Sequence, residues 1–149
     1  MTARKRALLI ESSLVLGATV AAVIGMIHLK DHVNRSEAMR AMTRLGQLIL
    51  ENRQEHGSLP PQSFVDSAIG DLDGAVRIGR VRYRALWIGP DAPPETILAF
   101  SFKRHPSSLL ADGYVVLYLD GRVAWLSVAV FQPLLAGQQG PAERRAAQE

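Results

Sequence analysis

The chain reads as an α+β protein in which one long N-terminal helix, transmembrane and then amphipathic, packs on a small antiparallel β-sheet. Three observations carry that reading. The stretch Ala7 to Leu29 is apolar on nearly every side, and Glu11 is its only carboxylate. Apolar residues then recur at three- to four-residue spacing as far as His56, the period of a one-sided helix. Beyond Gly74 the chain turns to β-branched and aromatic segments separated by Gly and Pro, with a hairpin signal at Asp120-Gly121.

The apolar run ALLIESSLVLGATVAAVIGMIHL has about 23 residues, roughly 35 Å as a helix, enough for a hydrocarbon core of about 30 Å. Arg4, Lys5 and Arg6 precede it, which favours a basic cytoplasmic leader over residues 1–6 and an extracytoplasmic remainder. The competing reading is a cleaved signal peptide, for which Val20-Ala21-Ala22 is a suitable site. The apolar run nevertheless continues through Ile24, Met26, Ile27 and Leu29, beyond what such a peptide needs. Glu11 stands out because a carboxylate deep in a bilayer costs roughly 2.5–3.5 kcal/mol on insertion scales. Two readings stay open: a functional intramembrane group, or a residue one turn from the leader that pairs with Lys5 or Arg6.

Residues 30–137 are expected to form one extracytoplasmic α+β domain, opened by an amphipathic helix over 30–56. Met39, Met42, Leu45, Leu48 and Ile49 define its apolar face, and Asn34-Arg35-Ser36 is a possible local break with Ser36 as a second cap. Gly57 and then Pro60-Pro61 end it. A short helix is expected around Gln62 to Ile69, followed by turns through Gly74. Strands are expected at Val76–Ile78 and Val81–Ile88, separate or joined across Gly79, then at Thr96–Lys103, Tyr114–Leu119 and Arg122–Ser127. The last two should form a tight two-residue hairpin at Asp120-Gly121. Val128 to Ala136 reads as a closing helix or turn limited by Pro133, and 138–149 as a disordered tail with no apolar face to bury. The expected core includes Leu45, Leu48, Trp87, Phe100, Phe102 and Trp125.

Composition narrows the function. Of 17 Lys and Arg and 14 Asp and Glu, the leader takes three bases and Glu11 one acid, so the domain carries 14 bases against 13 acids. Such a near-neutral domain lacks the basic footprint of a nucleic-acid binder, and no nucleic-acid partner is expected. The absence of cysteine excludes thiol catalysis and thiolate metal sites. His28 and His32 are spaced to share a helix face but have no evident third ligand. Asp71-Leu72-Asp73-Gly74 begins like a calcium loop without its later ligands, and Ser107 and Ser108 lack a nucleophile elbow. No enzymatic activity, metal or cofactor is expected. In an extended strand Arg80, Arg82 and Arg84 would share one face, a candidate patch for an acidic partner or simply a solvated surface.

Ala7-Leu8-Leu9-Ile10-Glu11, the helix end at His56-Gly57-Ser58-Leu59-Pro60-Pro61, and Asp120 to Leu126 followed by Phe131 together resemble type IV pilins and the pseudopilins of type II secretion. The resemblance implies a structural or assembly subunit of the bacterial envelope, anchored in the inner membrane. Its partners would be membrane lipid and protein, including other copies through the N-terminal helix. It implies processing between Arg6 and Ala7, with Glu11 then fifth in the mature chain and meeting a neighbour's α-amino group. Arg6 stands where the family has glycine, so the alternative is a non-polymerising membrane-tethered binding or accessory module.

Overall fold

The computed structural model describes residues 3–72, 75–105 and 111–147, with side chains from Ser13 onward except those of residues 75 and 76. Its first element, α1, runs Ala3–His56 as one unbroken helix of 54 residues, about 80 Å at the usual rise. No break occurs at Asn34–Ser36. The Ser36 hydroxyl donates back to the Val33 carbonyl (2.9 Å), so it lies within the helix and does not cap a new one. The helix ends where glycine permits: Gly57 has φ +73° and its N–H donates to the Arg53 carbonyl (2.8 Å), satisfying one of the terminal acceptors.

Helix α2 (Gln62–Asp71) follows Pro61, as expected. The next element corrects the sequence reading, because Ala75–Ile78 forms a helical turn, α3, where a strand was expected. Its Ile78 is fully buried in the core beside α1, and a β-preference spread over three residues is easily overridden by such packing. The sheet comprises β1 (Val81–Tyr83), β2 (Ile97–Lys103), β3 (Gly113–Tyr118) and β4 (Val123–Ser127). It is an antiparallel meander in sequence order. Strand β1 is shorter than expected, since Ala85–Trp87 coils into a 3-10 turn.

The Asp120-Gly121 turn exists but is one residue longer than a two-residue loop. Gly121 N–H donates to the Tyr118 carbonyl (3.0 Å) and Tyr118 N–H to the Arg122 carbonyl (2.9 Å). Only the glycine adopts a positive φ, +87°, whereas the two-residue form would need one at Asp120 as well.

Both faces of the sheet are covered. On one, Ala38, Met42, Leu45 and Ile49 of α1 pack against Leu98, Ala99, Val115 and Leu117. A bulge between Ile97 and Ala99 turns both Leu98 and Ala99 to that side. Gly46 brings the helix close: a Cβ there would lie 2.7 Å from Leu117 Cδ1. On the other face α4 (Val128–Gln138) inserts Phe131, 2% exposed, beside Ile97, Phe100 and Val116. Phe131 stacks on Tyr114 at 3.8 Å and meets Phe100 at 4.9 Å.

Three expectations fail here. The tail over 138–149 is not disordered throughout, because Pro141–Ala146 forms α5 with Glu143 buried. Trp87 and Phe102 are not core, with exposures of 45% and 47%. Trp87 sits in the 3-10 turn that ended β1 early, and Phe102 meets Tyr114 (5.1 Å) outside the cluster that Phe131 closes. Leu45 and Phe100 are buried as expected, and Trp125 packs against the α1 core while remaining partly open.

Truncating Phe131 to Ala should destabilise the domain by about 3–5 kcal/mol. Trp87→Ala should stay within about 0.5 kcal/mol of the parent. Urea midpoints that rank these two variants in the opposite order would refute the assignment of α4 to a second core.

Candidate functional site

From Ser13 to Leu29, α1 is the largest unpartnered feature among the described residues. Leu14, Leu16, Val20, Ile24, Met26 and Leu29 all face outward, Leu14 at 71% exposure, and full burial begins only at Ala38. From Ser13 the helix contains a window long and apolar enough to cross a membrane, no part of it buried in the molecule. Core helices that pass the same test are mostly buried, so this length and composition are compatible with a single transmembrane span. Arg6, Ala7 and Glu11 belong to the first turns of α1, and their side chains lie outside the described residues.

The three alternating arginines do not form one patch. Arg80 and Arg82 are exposed, whereas Arg84 is only 3% exposed. The strand stops at Tyr83, and Arg84 turns inward with φ −113° and ψ 10°. Its Nε and Nη2 donate to the two Glu143 carboxylate oxygens (2.6 and 2.9 Å). Nη1 donates to the Ile97 carbonyl (2.6 Å) and to Gln138 Oε1 (3.4 Å), and Nη2 also to the Gln138 carbonyl (3.3 Å). Every guanidinium N–H therefore has an acceptor. The role of this group is to tie β1, β2, α4 and α5 together. Glu143 escaped the sequence reading, although Gly140-Pro141-Ala-Glu carries a usable signal: proline and an acid in the first turn of a helix.

Arg80 and Arg82 overhang a cleft of ≈ 670 Å³ whose walls include Phe100, Phe102, Tyr114 and Phe131. A second polar cluster surrounds residues 34–37 of α1. Arg77 donates to Asn34 Oδ1 (2.6 Å) and pairs with Glu37 (3.1 Å), and Lys103 Nζ donates to the Arg77 carbonyl. Burial, and then the neighbouring Arg77 charge, hold the Lys103 ammonium below its ordinary pKa. Arg35 lies 4.4 Å over the Trp125 ring, and the His105 ring approaches the same indole at 5.5 Å. His105 is buried and its Nδ1 has no hydrogen-bond partner among the described residues, while its backbone N–H donates to Asp112 (2.7 Å).

His28 and His32 lie on α1, and no group of three or more metal-binding side chains gathers among the described residues. Asp73 and Gly74 of the calcium-loop-like run, and Ser107 and Ser108, fall outside the described residues. Fold and site together define a small α+β domain carried on the end of a helix of membrane-spanning length. No family model, curated protein or solved structure matches this chain.

Two expected outcomes test the site chemistry. Glu143→Ala leaves the Arg84 charge buried without its counter-ion and should cost about 3–5 kcal/mol. The double change Arg84→Met with Glu143→Leu should cost less than that single change, and unfolding midpoints that reverse this order would show that the pair does not act as a unit. The second outcome concerns Tyr83, whose hydroxyl donates to the Pro60 carbonyl (3.0 Å) and whose pKa burial pushes from 10.0 up to about 12. Above pH 10 the unfolded chain loses a proton that the folded chain keeps, so Tyr83's contribution falls between pH 10 and about 12. Tyr83→Phe should flatten that decline in a series of denaturation midpoints, and parallel parent and variant curves would exclude Tyr83 as its cause.

Proposed function

We propose that this chain is a pilin-like or pseudopilin-like subunit of a bacterial envelope assembly, anchored in the inner membrane by residues 7–29. In this reading the N-terminus is cytoplasmic and the α+β domain periplasmic or extracellular. The observation that carries it is the continuity of α1: one unbroken helix is outward-facing and apolar from Ser13 to Leu29 and buried by the sheet from Ala38 onward. An apolar segment with no partner inside its own molecule needs lipid or a neighbouring helix. Glu11 gains a purpose here. If the chain is cut before Ala7, the new α-amino group of one copy is a counter-charge for Glu11 of the next, offsetting a carboxylate that is otherwise costly in the bilayer.

Arg6, in the position that prepilin processing reserves for glycine, favours a second reading. There the chain stays uncleaved and serves as a tethered binding or accessory module. The two readings separate at Glu11. Cysteines introduced singly from Leu14 to Ile24 should crosslink between copies in membranes if the subunit assembles, and Glu11→Gln should abolish that crosslinking without affecting insertion. Equal crosslinking in parent and variant, or none in either, would discard the assembling subunit in favour of the tethered module. Intact mass of the extracted protein would show in parallel whether it begins at Ala7.

A further inference from the structure

The folded domain is electrically polarised along α1, and its positive end is the one nearest the exposed apolar segment. Contacts place Arg35, Arg77 and Lys103, and chain position places the rest. Arg77 bonds Asn34 and Glu37, Lys103 bonds Arg77, and Arg35 covers Trp125, which His105 also meets. Arg104 lies between Lys103 and His105 in the chain, and Arg80 follows Gly79, whose built Cβ would lie 3.4 Å from Lys103 Nζ. With Lys30 these form a collar of six cations, against which the same level of the molecule sets Asp31, Glu37 and Asp112. The far end carries a small net negative charge. Glu51 and Glu55 flank Arg53 on the last turns of α1, and Asp120, paired with Arg122, donates its N–H to Pro94, beside Glu95.

Distances along the helix make this arrangement selective. With the apolar run ending at Leu29, residues 34–37 stand about 8–12 Å beyond it, and Glu51 to Glu55 about 33–39 Å beyond it. The headgroup layer is roughly 5–8 Å thick on each side, and the screening length at physiological salt is about 8 Å. The collar therefore lies within reach of headgroup phosphates, and the acidic end lies several screening lengths away. Lys103 Nζ donates to the Arg77 carbonyl, so two cationic side chains meet at this level of the domain.

We propose that the collar of Lys30, Arg35, Arg77, Arg80, Lys103 and Arg104 seats the domain on anionic lipid headgroups, holding it down on the bilayer at the point where α1 emerges. The proposal rests on the membrane-anchor reading of α1. Its occupant follows from charge complementarity and from continuity with that helix, and it holds for either orientation of the chain.

The test uses the full chain in vesicles. Because the sequence lacks cysteine, Ala111→Cys, exposed next to Asp112, and Glu55→Cys at the acidic end each accept a single fluorophore. The probe is quenching by a headgroup-labelled lipid, in phosphatidylcholine vesicles with or without phosphatidylglycerol. Quenching at position 111 should be stronger with the anionic lipid, and position 55 should not respond. Lys30→Gln, Arg80→Gln and Arg104→Gln together remove cations that make no described side-chain hydrogen bond or ion pair, and should return position 111 to its neutral-lipid value. Each cation lost near the surface shifts the seating equilibrium about fivefold. Equal quenching at position 111 in both lipids, with the chain resistant to carbonate extraction, would overturn the collar and leave the anchor standing. Loss of the chain from both kinds of vesicle at the carbonate wash would overturn the anchor and the collar together.

Discussion

The packing of α1 against the sheet is the contact on which the rest of the molecule depends. Ala38, Ala41 and Gly46 keep that face of the helix low, so that Met42, Leu45 and Ile49 reach between Leu98, Val115 and Leu117. A side chain at Gly46 would collide first with Leu117, the residue that carries the approach on the sheet side. Interiors packed at crystal-like density leave little freedom in such a seam. Because α1 is unbroken from the exposed segment into this seam, the orientation of the sheet domain relative to that segment is set as well. The cation-rich level at residues 34–37 and the acidic level near residues 51–55 are consequences of that single seam.

A second constraint closes the other side. Strand β1 is only three residues long, and a short edge strand has few ladder bonds of its own to hold it. The Arg84 guanidinium supplies bonds from beyond its end to the Ile97 carbonyl, Gln138 and Glu143. Gln138 also accepts from Ile97 N–H (2.7 Å) and donates to the Glu95 carbonyl (3.1 Å). One polar knot thus fastens the end of α4 and the start of α5 over the sheet face that Phe131 fills. Buried ion pairs are expensive to desolvate and add little net stability, but an incomplete one is strongly penalised. Such a knot therefore discriminates against arrangements in which α5 is displaced.

The resulting division of labour is plain in chemical terms. From Ser13 to Leu29 α1 offers an apolar surface to an environment outside the domain, its second half is consumed by the core, and Arg35, Arg77 and Lys103 meet near the boundary between them. The exposed aromatic cleft under Arg80 and Arg82 lies on the opposite side of the sheet from α1. Contacts there would leave the helix face free for lipid or neighbouring copies.

The elements that sequence alone determined are those written in local periodicity and local turn chemistry. The change of α1 from all-round to one-sided apolarity follows from residue spacing, as do its end at Gly57, helix α2 after Pro61, strands β2 to β4 and a turn at Gly121; the continuity of α1 through Asn34–Ser36 does not. Each depends on residues within a few positions of one another. Tertiary structure alone decided the helical form of Ala75–Ile78, the early end of β1, the exposure of Trp87 and Phe102, and the folding of α5. The reason is that each depends on a partner distant in sequence. Arg84 reads as the third member of an exposed arginine row until Glu143, 59 positions away, is brought beside it. The segment after Gln138 reads as a free tail because its one anchoring contact is a charge whose counter-charge lies on the far side of the sheet sequence. Periodicity reports which face a residue occupies if its element continues, but whether the element continues is settled by packing.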